Sequence, residues 1–100
     1  MVPSCNSQIT SITNGESCGM NETVDLAVTG STGVTQFHWY ANEMGGTALA
    51  TTATGNWTTP TISTTTTYWV TADDGSCESW VREPIKAFIL APASLSFSPS

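Results

Sequence analysis

Positive charge is nearly missing from this chain. Arg82 and Lys86 are its only strong bases, set against eight acidic residues, for a net charge of −6. Nucleic-acid binding needs clustered Lys and Arg to release counterions, so that class of function is excluded. Attraction to an acidic membrane surface fails for the same reason. Histidine occurs once, as His38, and without a second His or a nearby Cys pair a transition metal has no ligand set. Neither a metal nor a cofactor is expected. No apolar run is long enough to cross a bilayer and no cationic-then-apolar leader is present, so membrane insertion is not expected. Met1-Val2-Pro3-Ser4 reads as a start placed on an internal stretch of a longer protein. Amphipathic helical periodicity is also absent.

What the sequence has in quantity is hydroxyl. Roughly thirty of its 100 residues are Ser or Thr, while charged residues fall far below the usual quarter. Aromatic and β-branched residues alternate regularly among them, as half-buried strands require and a disordered chain does not. The stretch Thr58 to Ala72 organises the rest: a proline, a Ser/Thr run, then an alternating strand with Tyr68, Val70 and Ala72 on one parity. A Tyr just inside such a strand fits a tyrosine corner, its ring in the core of a sandwich and its hydroxyl bonded to the incoming turn.

Read in order, residues 1–17 form a lead-in and first edge strand with Ile9 and Ile12 as apolar contacts, closed by a turn at Asn14-Gly15. Residues 18–90 form the sandwich core. Thr23–Thr29 places Val24, Leu26 and Val28 inward, and Thr35–Ala41 places Phe37 and Trp39 inward, with Trp39 filling the centre. Thr47–Ala50 is a short strand carrying Leu49, Trp57 begins another, and Ile62 packs under the corner. The last strand, from about Glu78 to Leu90, directs Ile85, Ala87 and Ile89 inward, with Pro84 at a bulge or edge position. Residues 91–100 read as a linker or the start of a following domain. The sum is an all-β chain, an antiparallel β-sandwich of about seven strands.

Three cysteines leave one odd. Cys18 and Cys77 each sit beside a turn signal, and a bridge between them would restrict the unfolded chain by about 4 kcal/mol. The alternative is buried, reduced thiols. Cys5, in the lead-in, is free or paired outside this stretch.

Chemistry-bearing groups are sparse. His38 falls on an open sheet face, where nothing excludes water from a nucleophile–base pair, so no catalytic residue is assigned. The acidic turn Asp73–Glu78 has oxygens enough for Ca²⁺ but lacks the alternating EF-hand spacing, and acidic residues in turns are ordinarily turn formers. The aromatic residues are more suggestive. Tyr40 and Trp69 face outward on strands that neighbour each other in such a sandwich, and Phe88 joins their face. With His38 they make a candidate exposed row on which sugar rings could stack. The plainer reading is that these rings cover one another.

The ordered elements Cys18-Gly19, Val24-Asp25-Leu26, Trp39-Tyr40, Gly45-Gly46, Leu49, Thr58-Thr59-Pro60, Thr65-Thr66-Thr67-Tyr68-Trp69-Val70 and Asp74-Gly75-Ser76-Cys77 resemble a family of bacterial Ig-like domains. Those domains recur as tandem repeats in large secreted and cell-surface proteins of Bacteroidetes. The resemblance runs from about Cys18 to Ile89. It implies an Ig-like sandwich, an oxidised Cys18–Cys77 bridge and an extracellular or cell-surface location, and it brings no catalytic motif. Cys5 is additional to the pattern, and Trp57 and Trp69 are larger than the residues expected there. The expected function is a non-catalytic structural or adhesive module of a large exported protein, whose partners are neighbouring domains of the same polypeptide. The alternative is a carbohydrate-binding module that takes surface glycans on Tyr40, Trp69 and Phe88.

Overall fold

A computed structural model describes residues 7–79 and 81–90. Its strands are β1 (Ile9–Thr13), β2 (Gly15–Cys18), β3 (Asp25–Gly30), β4 (Gln36–Tyr40), β5 (Ala50–Thr52), β6 (Asn56–Thr58), β7 (Thr66–Asp73) and β8 (Glu83–Leu90). They form two sheets, one ordered β1-β3-β6 and the other β2-β8-β7-β4-β5. No helix is long and apolar enough to cross a membrane among the described residues.

Alternation assigns the inner faces. Val24, Leu26 and Val28 from the smaller sheet meet Phe37, Trp39, Tyr68, Val70, Ala72, Ile85 and Ala87 from the larger one, all buried. Two residues apart along a strand is one face of a sheet, so each of these series follows from the period alone. Trp57, half-buried on β6, completes the centre. It stacks on Trp39 with ring centroids 5.2 Å apart, and Tyr68 meets it edge-on at 5.2 Å. Offset-stacked and T-shaped contacts are the favoured aromatic geometries.

Three local expectations change. Asn14-Gly15 is not a hairpin turn: it is where the chain leaves the smaller sheet, after β1 pairs antiparallel with β3, and joins the larger one as β2, parallel to β8. The Asn14 Oδ1 accepts the Lys86 backbone N–H at 2.8 Å, and a Cβ on Gly15 would sit 2.0 Å from the Asp25 carbonyl oxygen. Gly15 is therefore required by close approach to β3. The strand expected at Thr47–Ala50 forms later, at Ala50–Thr52, leaving Leu49 exposed. Leu49 follows a Gly45-Gly46 pair with φ of 75° and 76°, so the chain is still turning there.

Of the two positions expected for Pro84, it takes the edge one and makes no bulge. It lies opposite Trp69 within a regular β7–β8 register. Its ring nitrogen points the same way as the Lys86 N–H, toward β2, and β2 pairs only with residues from Ala87 onward. No ladder bond is lost there. The Tyr68 hydroxyl, finally, has no hydrogen-bond partner among the described residues, so packing against Trp57 holds the ring, not a corner bond. Burial raises the phenol's pKa above its ordinary value.

The cysteines also differ from expectation. Cys18 is a free, exposed thiol, whereas Cys77 is disulfide-bonded, so the Cys18–Cys77 bridge does not form. Cys18 lies at the end of β2 opposite Leu90, and Cys77 lies in the turn after β7. These are opposite ends of the sandwich, which is the physical reason they do not meet. Cys5 lies outside the described residues, as do residues 91–100.

Candidate functional site

The outer face of the five-stranded sheet carries every residue assigned to the aromatic row. Opposite Tyr40 on β4 stands Trp69 on β7, and opposite Trp69 stands Pro84 on β8. One step along, His38 faces Thr71 on one side and Thr51 of β5 on the other. Phe88 shares the face but stands opposite Glu16 of β2. It lies four residues, or about 13 Å, along β8 from Pro84. The structure therefore brings His38, Tyr40 and Trp69 together and leaves Phe88 apart.

Tyr40 is not exposed. Arg82, just before β8, covers it, with the guanidinium carbon 3.4 Å from its ring centroid. The same Arg82 Nη1 donates to the carbonyl oxygens of Asn42 (2.9 Å) and Gly45 (2.6 Å), pinning the β4–β5 loop to the sheet. From below, the Glu78 Oε2 accepts the Tyr40 hydroxyl and also the Thr71 hydroxyl. Burial and the adjacent Glu78 carboxylate raise the Tyr40 pKa; Arg82 opposes them weakly. A cation over one ring face and a carboxylate on the hydroxyl, with the ring buried, leave no open face for a sugar. Trp69 and Phe88 remain half-buried on the open face.

His38 is likewise engaged. Its Nε2 lies 2.8 Å from the Asp73 Oδ2 and its Nδ1 lies 2.9 Å from the Thr51 Oγ1. The hydrogen bond from His38 is the largest influence holding the Asp73 carboxyl below its usual range, with the Gly75 N–H and the Gln36 amide assisting. An ionised carboxylate only accepts, so Nε2 carries a proton toward Asp73. This ties β4, β5 and β7 into one polar ladder. The neighbouring Asp74 carboxylate accepts the N–H groups of Cys77 and Ser76, which depress its pKa. These contacts make the acidic stretch a turn, and no group of three or more potential metal ligands occurs among the described residues.

Sequence reasoning missed Arg82, Glu78 and Asp73. The one legible signal was parity: Arg82, Pro84 and Lys86 alternate with the inward series Ile85, Ala87, Ile89, which aims them at the outer face. A depression of about 330 Å³ on the smaller sheet is lined by residues 25–27 and 56–58, and there the Thr58 hydroxyl donates to Asp25 at 2.5 Å.

Residues 6–90 match the family described as Ig-like domain, CHU_C associated. The chain belongs to that family. Among solved structures it is similar to the fibronectin(III)-like modules of Clostridium thermocellum CbhA, at 13% identity and a TM-score of 0.55, covering 85% of this chain and 96% of that one. At that identity the likeness concerns the fold. No curated protein matches the sequence.

Proposed function

We propose that this Ig-like domain is a non-catalytic, in-line spacer of an exported multidomain protein. The observation that carries this reading is the placement of the two ends. Ser7 reaches the turn after β7 through its hydroxyl, which donates to the Cys77 carbonyl at 3.1 Å. Leu90 ends β8 at the other pole, where its carbonyl accepts the Gly19 N–H. A chain that enters one pole and leaves the other extends the protein by the full length of the sandwich.

Tension applied through those ends also loads the strands in their strongest direction. β2 runs parallel to β8 through the pairs Gly15–Ala87 to Cys18–Leu90, and β1 runs antiparallel to β3. With the Cys77 disulfide reduced, pulling the N-terminal end against Leu90 slides β2 along β8 and β1 along β3. The hydrogen bonds of these two strand pairs then bear load together, instead of opening one at a time. Domains of this family occur in extracellular and surface proteins, and Ig-like and fibronectin III-like families are generally non-catalytic. Both points support the reading.

The test is single-molecule stretching of the domain through its two ends in reductant, so that the Cys77 disulfide carries no load, with proline placed at Glu16 and at Ser17 in separate variants. Successive N–H groups of a strand point to opposite sides, so one of the two prolines must remove a β2–β8 bond. A load-bearing spacer loses unfolding force in one variant and not the other, with circular dichroism unchanged. Equal force in the parent and both variants would sink the proposal.

A further inference from the structure

The outer face of the five-stranded sheet holds all the strong positive charge of a chain with net charge −6. Arg82, Pro84 and Lys86 occupy alternate positions, and the register sets Pro84 against Trp69 and Lys86 against Thr67. Trp69 is thus flanked along β8 by the two bases, whose Cα atoms span about 13 Å. Lys86 is exposed, and its ammonium makes no ion pair or hydrogen bond among the described residues. Arg82 uses only Nη1, on the Asn42 and Gly45 carbonyls, and has no carboxylate partner among the described residues.

Of the carboxylates around this strip, Glu43 and Glu83 lie beside Arg82 in the structure or the chain without an ion pair to it among the described residues, and two others are engaged. Glu78 accepts from Tyr40 and Thr71, and Asp73 accepts from His38 and Gln36. Glu16 stands farther along, opposite Phe88. An acidic protein that collects both its bases beside a half-buried indole, with no carboxylate partner for either among the described residues, offers a local site for negative charge.

We propose that Arg82, Trp69 and Lys86 form a binding strip for acidic polysaccharide. A sugar ring lies over the Trp69 indole, and uronate carboxylates meet Lys86 and the free guanidinium edge of Arg82. The sheet favours a glycan over an acidic peptide for a structural reason. β7 is paired on both sides, by β4 and β8, so no open strand edge at Trp69 supplies main-chain hydrogen bonds to an added strand. What the face offers is a flat ring, the hydroxyl of Thr67 and two fixed charges. This departs from the row read in the sequence: Tyr40 lies under Arg82 and takes no sugar, and its role is to hold the guanidinium in place.

Affinity electrophoresis in gels containing polygalacturonate or alginate tests the strip, with uronate-free arabinoxylan and amylose as neutral controls and polyglutamate as an acidic non-sugar control. Both uronate polymers should retard the domain at low salt, with retardation fading as salt rises. The exposed Lys86→Gln change should weaken binding about tenfold, the effect of losing one charge-assisted contact. Trp69→Ala, checked for fold by circular dichroism, should abolish it. No retardation by either uronate polymer, or equal retardation of Lys86→Gln and parent, overturns the proposal. Retardation by polyglutamate as strong as by the uronates overturns the glycan assignment.

Discussion

The Trp39 indole on β4 lies against the Trp57 indole on β6, 26° from parallel, and so joins the two sheets through a single stacked pair. Trp39 is wholly buried and also donates its Nε1–H to the Thr52 hydroxyl at 3.0 Å. β6 is short and lies at a sheet edge, so Trp57 is its main hold on the core.

Replacing Trp57 with Ala is expected to cost about 3 kcal/mol, the lower end of the range for large aromatic deletions because the ring is half-buried. Trp57→Phe should recover most of that. Urea unfolding measures both, and a loss below about 1 kcal/mol for Trp57→Ala would show that β6 is held by something else.

The Asp73–His38 contact predicts a pH dependence of definite sign. The Asp73 pKa is depressed in the folded protein, so the folded state binds its proton less tightly than the unfolded chain does. The stabilisation is therefore full above the ordinary Asp value of about 4 and is lost as pH falls through the depressed value. Asp73→Asn should remove that part of the acid sensitivity and cost on the order of 1 kcal/mol at neutral pH. Denaturant midpoints from neutral pH down to acid, compared for parent and variant, check it; parallel curves would refute it.

Gly15 carries a steric prediction. A Cβ there meets the Asp25 carbonyl oxygen at 2.0 Å and the Val24 Cγ1 at 2.7 Å. Both belong to the packed β3 region, which must shift to admit it. Gly15→Ala is expected to destabilise by about 2–3 kcal/mol. At Gly33, where φ is 95° but no atom lies within 4 Å, the same change should cost about 1 kcal/mol, from backbone strain alone. Thermal unfolding of the two variants separates crowding from conformation.

The cysteine assignment is checked by thiol labelling without reductant. Cys18 should react in the folded protein and Cys77 should not. Peptide mapping that finds Cys18 blocked and Cys77 labelled would reverse it.

Which parts of this structure were legible in the sequence depended on distance along the chain. Val24-Leu26-Val28, Phe37-Trp39 and Tyr68-Val70-Ala72 could be read because the period of a strand is local. The position of Trp57 between Trp39 and Tyr68 could not, because it depends on β6 pairing with β3 across a long separation in sequence. The candidate site divides the same way. Parity put Tyr40, Trp69 and His38 on the outer face. It gave no sign that Glu78 and Arg82 reach back to cover Tyr40, since that depends on two long side chains meeting partners near residue 40. The Cys18–Cys77 pairing failed for a related reason: turn signals beside each cysteine say nothing about which pole of the sandwich each turn occupies.

The crossing of the chain between sheets at Asn14 has a consequence for the order of folding. β2 has its partner in β8, and the Asn14 amide oxygen waits for the Lys86 N–H seventy-two residues later. A chain emerging from the ribosome can pair β3 with β6, or β4 with β5, while synthesis continues. Of its N-terminal strands, β1 can pair with β3 early, but β2 stays without a partner until β8 is free. Closure of this domain is thus timed by its last strand, and a chain halted short of residue 87 should remain open, however much of the core sequence has already appeared.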